Sequence, residues 1–197
     1  DMGVKVVQAE DEIAGITTSI GAAFAGSLAV TNTSGPGLAL KSEAIGLAVM
    51  TELPLVIIDV MRGGPSTGMP TKTEQTDLLQ ALYGRNGESP VVVLAAGTPD
   101  DCFHYAYMAS KIALEHMTPV ILLTDAFIAN GTSLWKLPKL AELPVIEPNY
   151  VKPGMEGCKV TARDEVSKVR YWSVPGMEGL GHRNGGLEKD YETGCIA

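Results

Sequence analysis

Short apolar runs, separated by stretches of helical period, limit what this chain can fold into. The runs at residues 4–7, 28–30, 55–60, 90–95 and 119–124 are brief and rich in β-branched side chains. A strand buried on both faces reads as a continuous apolar run, because neither face meets water. Between the runs, apolar residues return every three or four positions, as on the buried stripe of a helix. Ile13, Ile16, Thr17, Ile20, Ala23 and Phe24 do so after Asp11, an N-cap type, and Gly26 closes that helix. A second helix is expected over 38–51, with Ala44, Ile45, Leu47, Ala48 and Met50 inward. A short third is expected over 74–83, and a fourth from Thr98-Pro99 to His116, burying Phe103, Tyr107, Met108 and Ile112. Strand and helix alternate about five times, which predicts an α/β fold: a doubly wound, mostly parallel sheet with helices on both faces.

Beyond Asp125 the period stops. Prolines, glycines and the lone aromatics Trp135, Tyr171 and Trp172 suit an irregular C-terminal arm lying on another surface, against the alternative of a linker disordered in isolation. The expected division is an α/β domain over 1–127 and an arm over 128–197, reaching toward a further domain or a partner subunit. The abrupt start in a strand and the unfinished end lead us to expect a piece of a longer polypeptide.

Charge and cysteine usage narrow the partners. A net charge of −8 argues against nucleic acid, which needs a basic face. No apolar run is long enough to span a bilayer and no signal-peptide pattern is present, so a cytoplasmic setting without membrane contact is expected. Cys102, Cys158 and Cys195 lie far apart, and His104, His116 and His182 share no ligand spacing with cysteines or acids. Neither a disulfide framework nor a metal site is expected within this chain. No Gly-x-Ser-x-Gly elbow suggests a nucleophile.

Candidate chemistry gathers in three places. The loop 61–73 leaves the apolar run 55–60 through Arg62, whose planar guanidinium suits a carboxylate or phosphate; Ser66, Thr67 and Lys72 offer further polar groups. A plain surface loop punctuated by glycines is the competing reading. Glu12 opens the first helix, where the helix N-terminus stabilises an anion and burial would raise its pKa. The competing reading is that Glu10, Asp11 and Glu12 are ordinary first-turn acids. Ser34-Gly35-Pro36-Gly37 precedes the second helix as a turn able to cradle an anion or let a flat ring approach.

These stretches resemble one family. Glu12 with Gly21, then Thr33-Ser34-Gly35-Pro36-Gly37, are similar to the pyrimidine-binding domain of thiamine-diphosphate enzymes. Arg62 through Gln75, followed by Asp77-Leu78-Leu79-Gln80-Ala81, resembles the alpha subunit of 2-oxoacid:ferredoxin oxidoreductases, the 2-oxoglutarate type in particular. Gly179-Leu180-Gly181-His182-Arg183 and Gly185-Gly186-Leu187-Glu188 are similar to that subunit's arm. The resemblance implies thiamine diphosphate shared with a beta subunit, which would carry the diphosphate, Mg²⁺ and iron–sulfur sites. It also implies oxidative decarboxylation of a 2-oxoacid to an acyl-CoA, with electrons passed to ferredoxin; pyruvate and branched-chain oxoacids are the alternative substrates, and a non-catalytic scaffold the alternative role. On this resemblance Glu12, with Glu10 as the second choice, bonds the aminopyrimidine ring nitrogen, which favours the imino form that activates the thiazolium. Ser34, Gly35, Pro36 and Gly37 back that ring, and Arg62 binds the oxoacid carboxylate, with Ser66, Thr67 and Lys72 as wall residues. The family's N-terminal substrate-binding segment and its other domains are missing from this stretch, so the piece alone is expected to be inactive.

Overall fold

A computed structural model describes residues 3–152, 154, 155, 159, 161–193 and 196. Cys158 and Cys195 lie outside the described residues. The elements run α1 (Glu12–Phe24), β1 (Val30–Thr33), α2 (Gly35–Thr51), β2 (Leu55–Met61), α3 (Leu78–Tyr83), β3 (Val92–Ala95), α4 (Asp101–His116), β4 (Pro119–Asp125) and α5 (Ala126–Asn130). A 3-10 turn, Leu140–Glu142, follows.

The four strands pair in parallel in the order β1-β2-β4-β3. Side chains of a strand alternate between its two faces. Leu55, Ile57 and Met61 therefore join Ile121 and Leu123 under α1 and α2, where Ile16, Ala23, Leu38, Ile45 and Ala48 complete the core. Val56 and Val120 face the other way, onto Ala109 and Ala113 of α4. Helices thus cover both faces, as the alternation of runs requires.

Several boundaries differ from expectation, each for a local reason. Residues 4–7 form no strand: they lie beside no member of the sheet, and Val6 is 93% exposed. The first strand is 30–33 rather than 28–30, because its register places Val30 opposite Val56 and Thr33 opposite Asp59. Helix α2 starts at Gly35, three residues early. Ser34 is extended, and its carbonyl accepts from the Leu38 N–H at 2.9 Å, so Gly-Pro-Gly forms the helix's first turn. Helix α3 starts late, at Leu78, since Glu74 and Gln75 are engaged elsewhere. On α4 the buried positions are Ala109, Ala113 and Leu114, while Phe103 and Met108 are exposed; small side chains let this helix lie close on the sheet. Met50 is likewise exposed.

The segment after α5 returns to the α/β body. Trp172 is completely buried beside Leu114, Met117 and Val169, stacks on Tyr150 at 4.9 Å, and donates its indole N–H to the Ala23 carbonyl at 3.2 Å. Among the described residues no helix is long and apolar enough to cross a membrane.

Candidate functional site

The polar loops at the carboxyl ends of β1 and β2 enclose a cleft of about 820 Å³. Open α/β sheets place ligands there because the strand ends leave loops and helix N-termini facing one crevice. Glu12, Gly35, Pro36, Gly37, Arg62, Ser66, Thr67, Glu74, Asp77 and Gln80 are among the residues that line it. Glu12 and Arg62, remote in sequence, therefore face the same space. Ser34, Lys72 and Glu10 are outside that lining.

Helix α1 presents Glu12 in its first turn. Asp11 caps the helix by accepting from the Ala14 N–H at 2.7 Å. Glu12 then leans over the start of α2: a Cβ at Gly37 would fall 2.6 Å from the Glu12 Cγ and 1.8 Å from the Thr33 hydroxyl. Only glycine permits that approach, which sets the carboxyl-bearing side chain against the Pro36-Gly37 turn. Beneath it, Lys41 of α2 is 1% exposed and donates from Nζ to the Glu12 carbonyl at 2.8 Å and to the Thr31 hydroxyl at 3.2 Å. Burial pulls the Lys41 pKa down, while Glu12 and Asp11 oppose that shift through their charges.

The Arg62 loop is tied back on itself. The Gly63 N–H donates to the Lys72 carbonyl, and the Met69 N–H to the Gly63 carbonyl, each at 2.8 Å. Gly68 has φ of +53°, and a Cβ there would lie 2.1 Å from the Gly63 oxygen, so the return of this loop depends on glycine. Glu74 accepts from the Gly64 N–H at 2.7 Å, and Gln75 donates to Asp125 at 2.6 Å. These bonds anchor the base of the loop and leave Ser66 and Thr67 exposed at its tip. The Arg62 Nε is buried without an acceptor. Lys72 takes part through its backbone, with its side chain exposed outside the cleft.

Sequence reasoning missed three acidic or basic groups. Lys41 lay hidden among the apolar residues of α2. Asp59, fully buried, broke the run Leu55–Met61, and a charge inside such a run was the available signal. Asp77 lines the cleft beside Gly35. Of the histidines, His104 and His116 are exposed, and His182 hydrogen-bonds Ser173 and the Leu180 carbonyl away from the cleft. No group of three or more His, Cys, Asp or Glu able to hold a metal occurs among the described residues.

The cleft suits thiamine diphosphate in part of its length. Its volume is that of a small-molecule pocket. It combines a carboxylate, a close-approach glycine turn and an unpaired guanidinium nitrogen. The family model described as pyruvate flavodoxin/ferredoxin oxidoreductase, thiamine diphosphate-binding, matches residues 1–187. The chain is 57% identical over its whole length to the 2-oxoglutarate oxidoreductase subunit KorA of Mycobacterium tuberculosis, covering 30% of that protein. Over 72% of the chain it is 47% identical to the 2-oxoglutarate synthase subunit KorA of Archaeoglobus fulgidus, covering 41% of it. A solved 2-oxoglutarate:ferredoxin oxidoreductase from Magnetococcus marinus, with 2-oxoglutarate, coenzyme A and succinyl-CoA bound, superposes with a TM-score of 0.92 at 40% identity, over 99% of this chain and 34% of that one. The chain spans about a third of the length of these relatives. With the fold, the cleft and a family match covering nearly the whole chain in agreement, the chain belongs to the thiamine diphosphate-binding pyruvate flavodoxin/ferredoxin oxidoreductase family.

Proposed function

We propose that this chain supplies the pyrimidine-binding part of a 2-oxoglutarate:ferredoxin oxidoreductase, an enzyme that converts a 2-oxoacid and coenzyme A to an acyl-CoA and passes the electrons to ferredoxin. The observation that carries the proposal is the meeting of Glu12 and Arg62 in one cleft. Similarity to KorA subunits favours 2-oxoglutarate over pyruvate and branched-chain oxoacids.

Thiamine diphosphate, when bound, supplies the carbanion chemistry that lets a 2-oxoacid lose CO₂. Glu12 holds a proton at the cofactor's ring nitrogen, and the Asp11 cap with the Lys41 bond keeps its helical turn in place for that task. Pro36 and Gly37, which line the cleft, back the cofactor's ring. Arg62 pairs its fork with the oxoacid carboxylate and so orients the neighbouring carbonyl. Ser66 and Thr67 close the wall beside it. In this reading residues 1–127 form the cofactor domain and 128–197 the arm. A beta subunit carries Mg²⁺, the diphosphate and an iron–sulfur cluster, and the assembly is cytoplasmic. In this reading the stretch depends on the beta subunit for turnover.

The test is the intact complex, assayed for 2-oxoglutarate-dependent dye reduction. Glu12→Gln lowers kcat by about 10²- to 10⁴-fold, the range for losing a positioned acid, with native-like assembly. Turnover of the variant at the wild-type rate would refute the assignment.

A further inference from the structure

Under the cleft sits a buried acid that the proposed reaction does not use. Asp59 lies in β2, in register with Thr33 of β1 and Leu123 of β4, and is 0% exposed. By the alternation of the strand its side chain points to the same face as Ile57 and Met61, toward α2. Neither of its carboxyl oxygens meets a hydrogen-bond donor among the described residues, and neither does Oδ2 of Asp77. The group that Asp59 faces is the Asp77 carboxyl. A Cβ on Gly35 would lie 2.7 Å from the Asp77 Oδ2, so Asp77 rests against the first residue of α2, in the cleft wall.

Two adjacent carboxylates cannot both ionise cheaply, and two ionised ones have no hydrogen to give each other. One proton between them supplies the missing O–H···O bond. Asp59 is the better holder, because its charged form would be buried away from water. Burial, then the charge of Asp77 and the bond to it, push the Asp59 pKa up to about 8. Asp77 is raised too, mainly by burial, with Glu74 adding to the shift and the bond from Asp59 opposing it. The other charged groups around the pair are Glu12 and Arg62, across the same cleft.

We propose that Asp59 stays protonated at neutral pH, donates its hydrogen to Asp77, and as a positioning residue keeps a second negative charge from building up beneath the cleft that receives the anionic oxoacid. This rests on the reading of the cleft as a 2-oxoacid site. Once Asp59 loses its proton, the pair carries two charges, Asp77 loses its donor, and the substrate carboxylate is repelled. Asparagine at position 59 offers Asp77 a similar hydrogen bond without an ionisable group.

Two measurements on the intact complex decide it. Infrared titration of the substrate-free protein should show a protonated carboxylic acid band at pH 7 that fades near pH 8 and is missing in Asp59→Asn. In steady-state kinetics the wild-type KM for 2-oxoglutarate should rise about tenfold from pH 7 to pH 9, with a smaller change in kcat. Asp59→Asn should keep the pH 7 KM and lose the alkaline rise. Absence of the acid band in the wild type overturns the proposal, and so does an alkaline rise that survives in the variant. If Asp59→Asn does not assemble, the wild-type band and its titration still decide where the proton is. A complex that binds no 2-oxoacid overturns the substrate half together with the reading it rests on, and the infrared result then bears on the proton alone.

Folding stability responds to the same proton. A folded pKa near 8 against an ordinary carboxyl near 4 means that the folded chain binds one more proton across that interval. Stability should therefore fall as pH rises from about 4 to about 8 and level off above. The Asp59→Asn slope should be flatter.

Discussion

The cleft at the strand ends and the seam that binds the arm to the body differ in how they treat polar groups. In the seam, described side chains of the arm donate to backbone carbonyls of the body, although the buried Ser89 hydroxyl near Gly186 and Leu187 has no partner. Trp172 donates to the Ala23 carbonyl, Arg170 to the Glu52 carbonyl, Asn184 to the Thr51 carbonyl and Lys189 to the Met50 carbonyl. Within the arm itself, Asn149 donates to the carbonyls of Val169 and Arg170. In and under the cleft the pattern reverses: the Arg62 Nε, both Asp59 oxygens and the Asp77 Oδ2 are buried without a partner. An unmet buried polar group costs about 1–3 kcal/mol, so a folded chain keeps several together only where something else compensates. The seam closes its bonds between arm and body, whereas the cleft leaves buried polar groups open.

The comparison breaks most readily at Trp172. Its removal should cost about 3–5 kcal/mol, the range for deleting a buried aromatic, because the ring leaves a cavity and the Ala23 carbonyl loses a donor. Urea unfolding of Trp172→Ala should show this as a lower midpoint, with oxoacid binding by the surviving folded fraction unchanged. A loss under about 1 kcal/mol would mean that the arm contributes little to the folded body.

Arg62→Ala should act on the other side of the contrast. The wild-type Nε has no protein acceptor to lose, so stability should stay within about 0.5 kcal/mol. The KM for 2-oxoglutarate should rise about 10- to 100-fold, the worth of a charge-assisted bond to a carboxylate. A large stability loss with an unchanged KM would make Arg62 a structural residue and erase the distinction.

The same contrast explains what could be read in advance. Apolar periodicity reports burial, so the runs 55–60 and 119–124 and the covering helices were legible. The run at 4–7 looked equally apolar, but a strand needs a neighbour, and pairing is not written in a local pattern. Arg62 and Glu12 were legible as polar groups at element ends, where function collects. The resemblance, rather than spacing, joined them. Lys41 and Asp59 were harder, because a charge inside an apolar segment acquires meaning only from what it faces. Asp77 fell inside the helix expected over 74–83, yet it precedes the observed helix, its side chain caps nothing, and it faces Asp59 instead.

Lys41 lies on the border between the two regions and offers the finest test. Like the seam it is hydrogen-bonded within the chain, donating to the Glu12 carbonyl and the Thr31 hydroxyl. Like the cleft it holds a buried charge, which burial disfavours. Methionine has similar length and no charge. Lys41→Met removes a donor from Thr31 but also removes the cost of burying an ammonium, and buried charges replaced by apolar side chains of similar volume are often neutral in stability. We expect a net change within about 1 kcal/mol. The Glu12 turn, however, loses its tether to α2, and kcat in the intact complex should fall about three- to tenfold with KM for 2-oxoglutarate unchanged. Unchanged kcat with a stability loss above about 3 kcal/mol would place Lys41 with Trp172, as a residue that holds the fold. A fall in kcat at constant stability would place it with Glu12, as the residue that sets the acid's position.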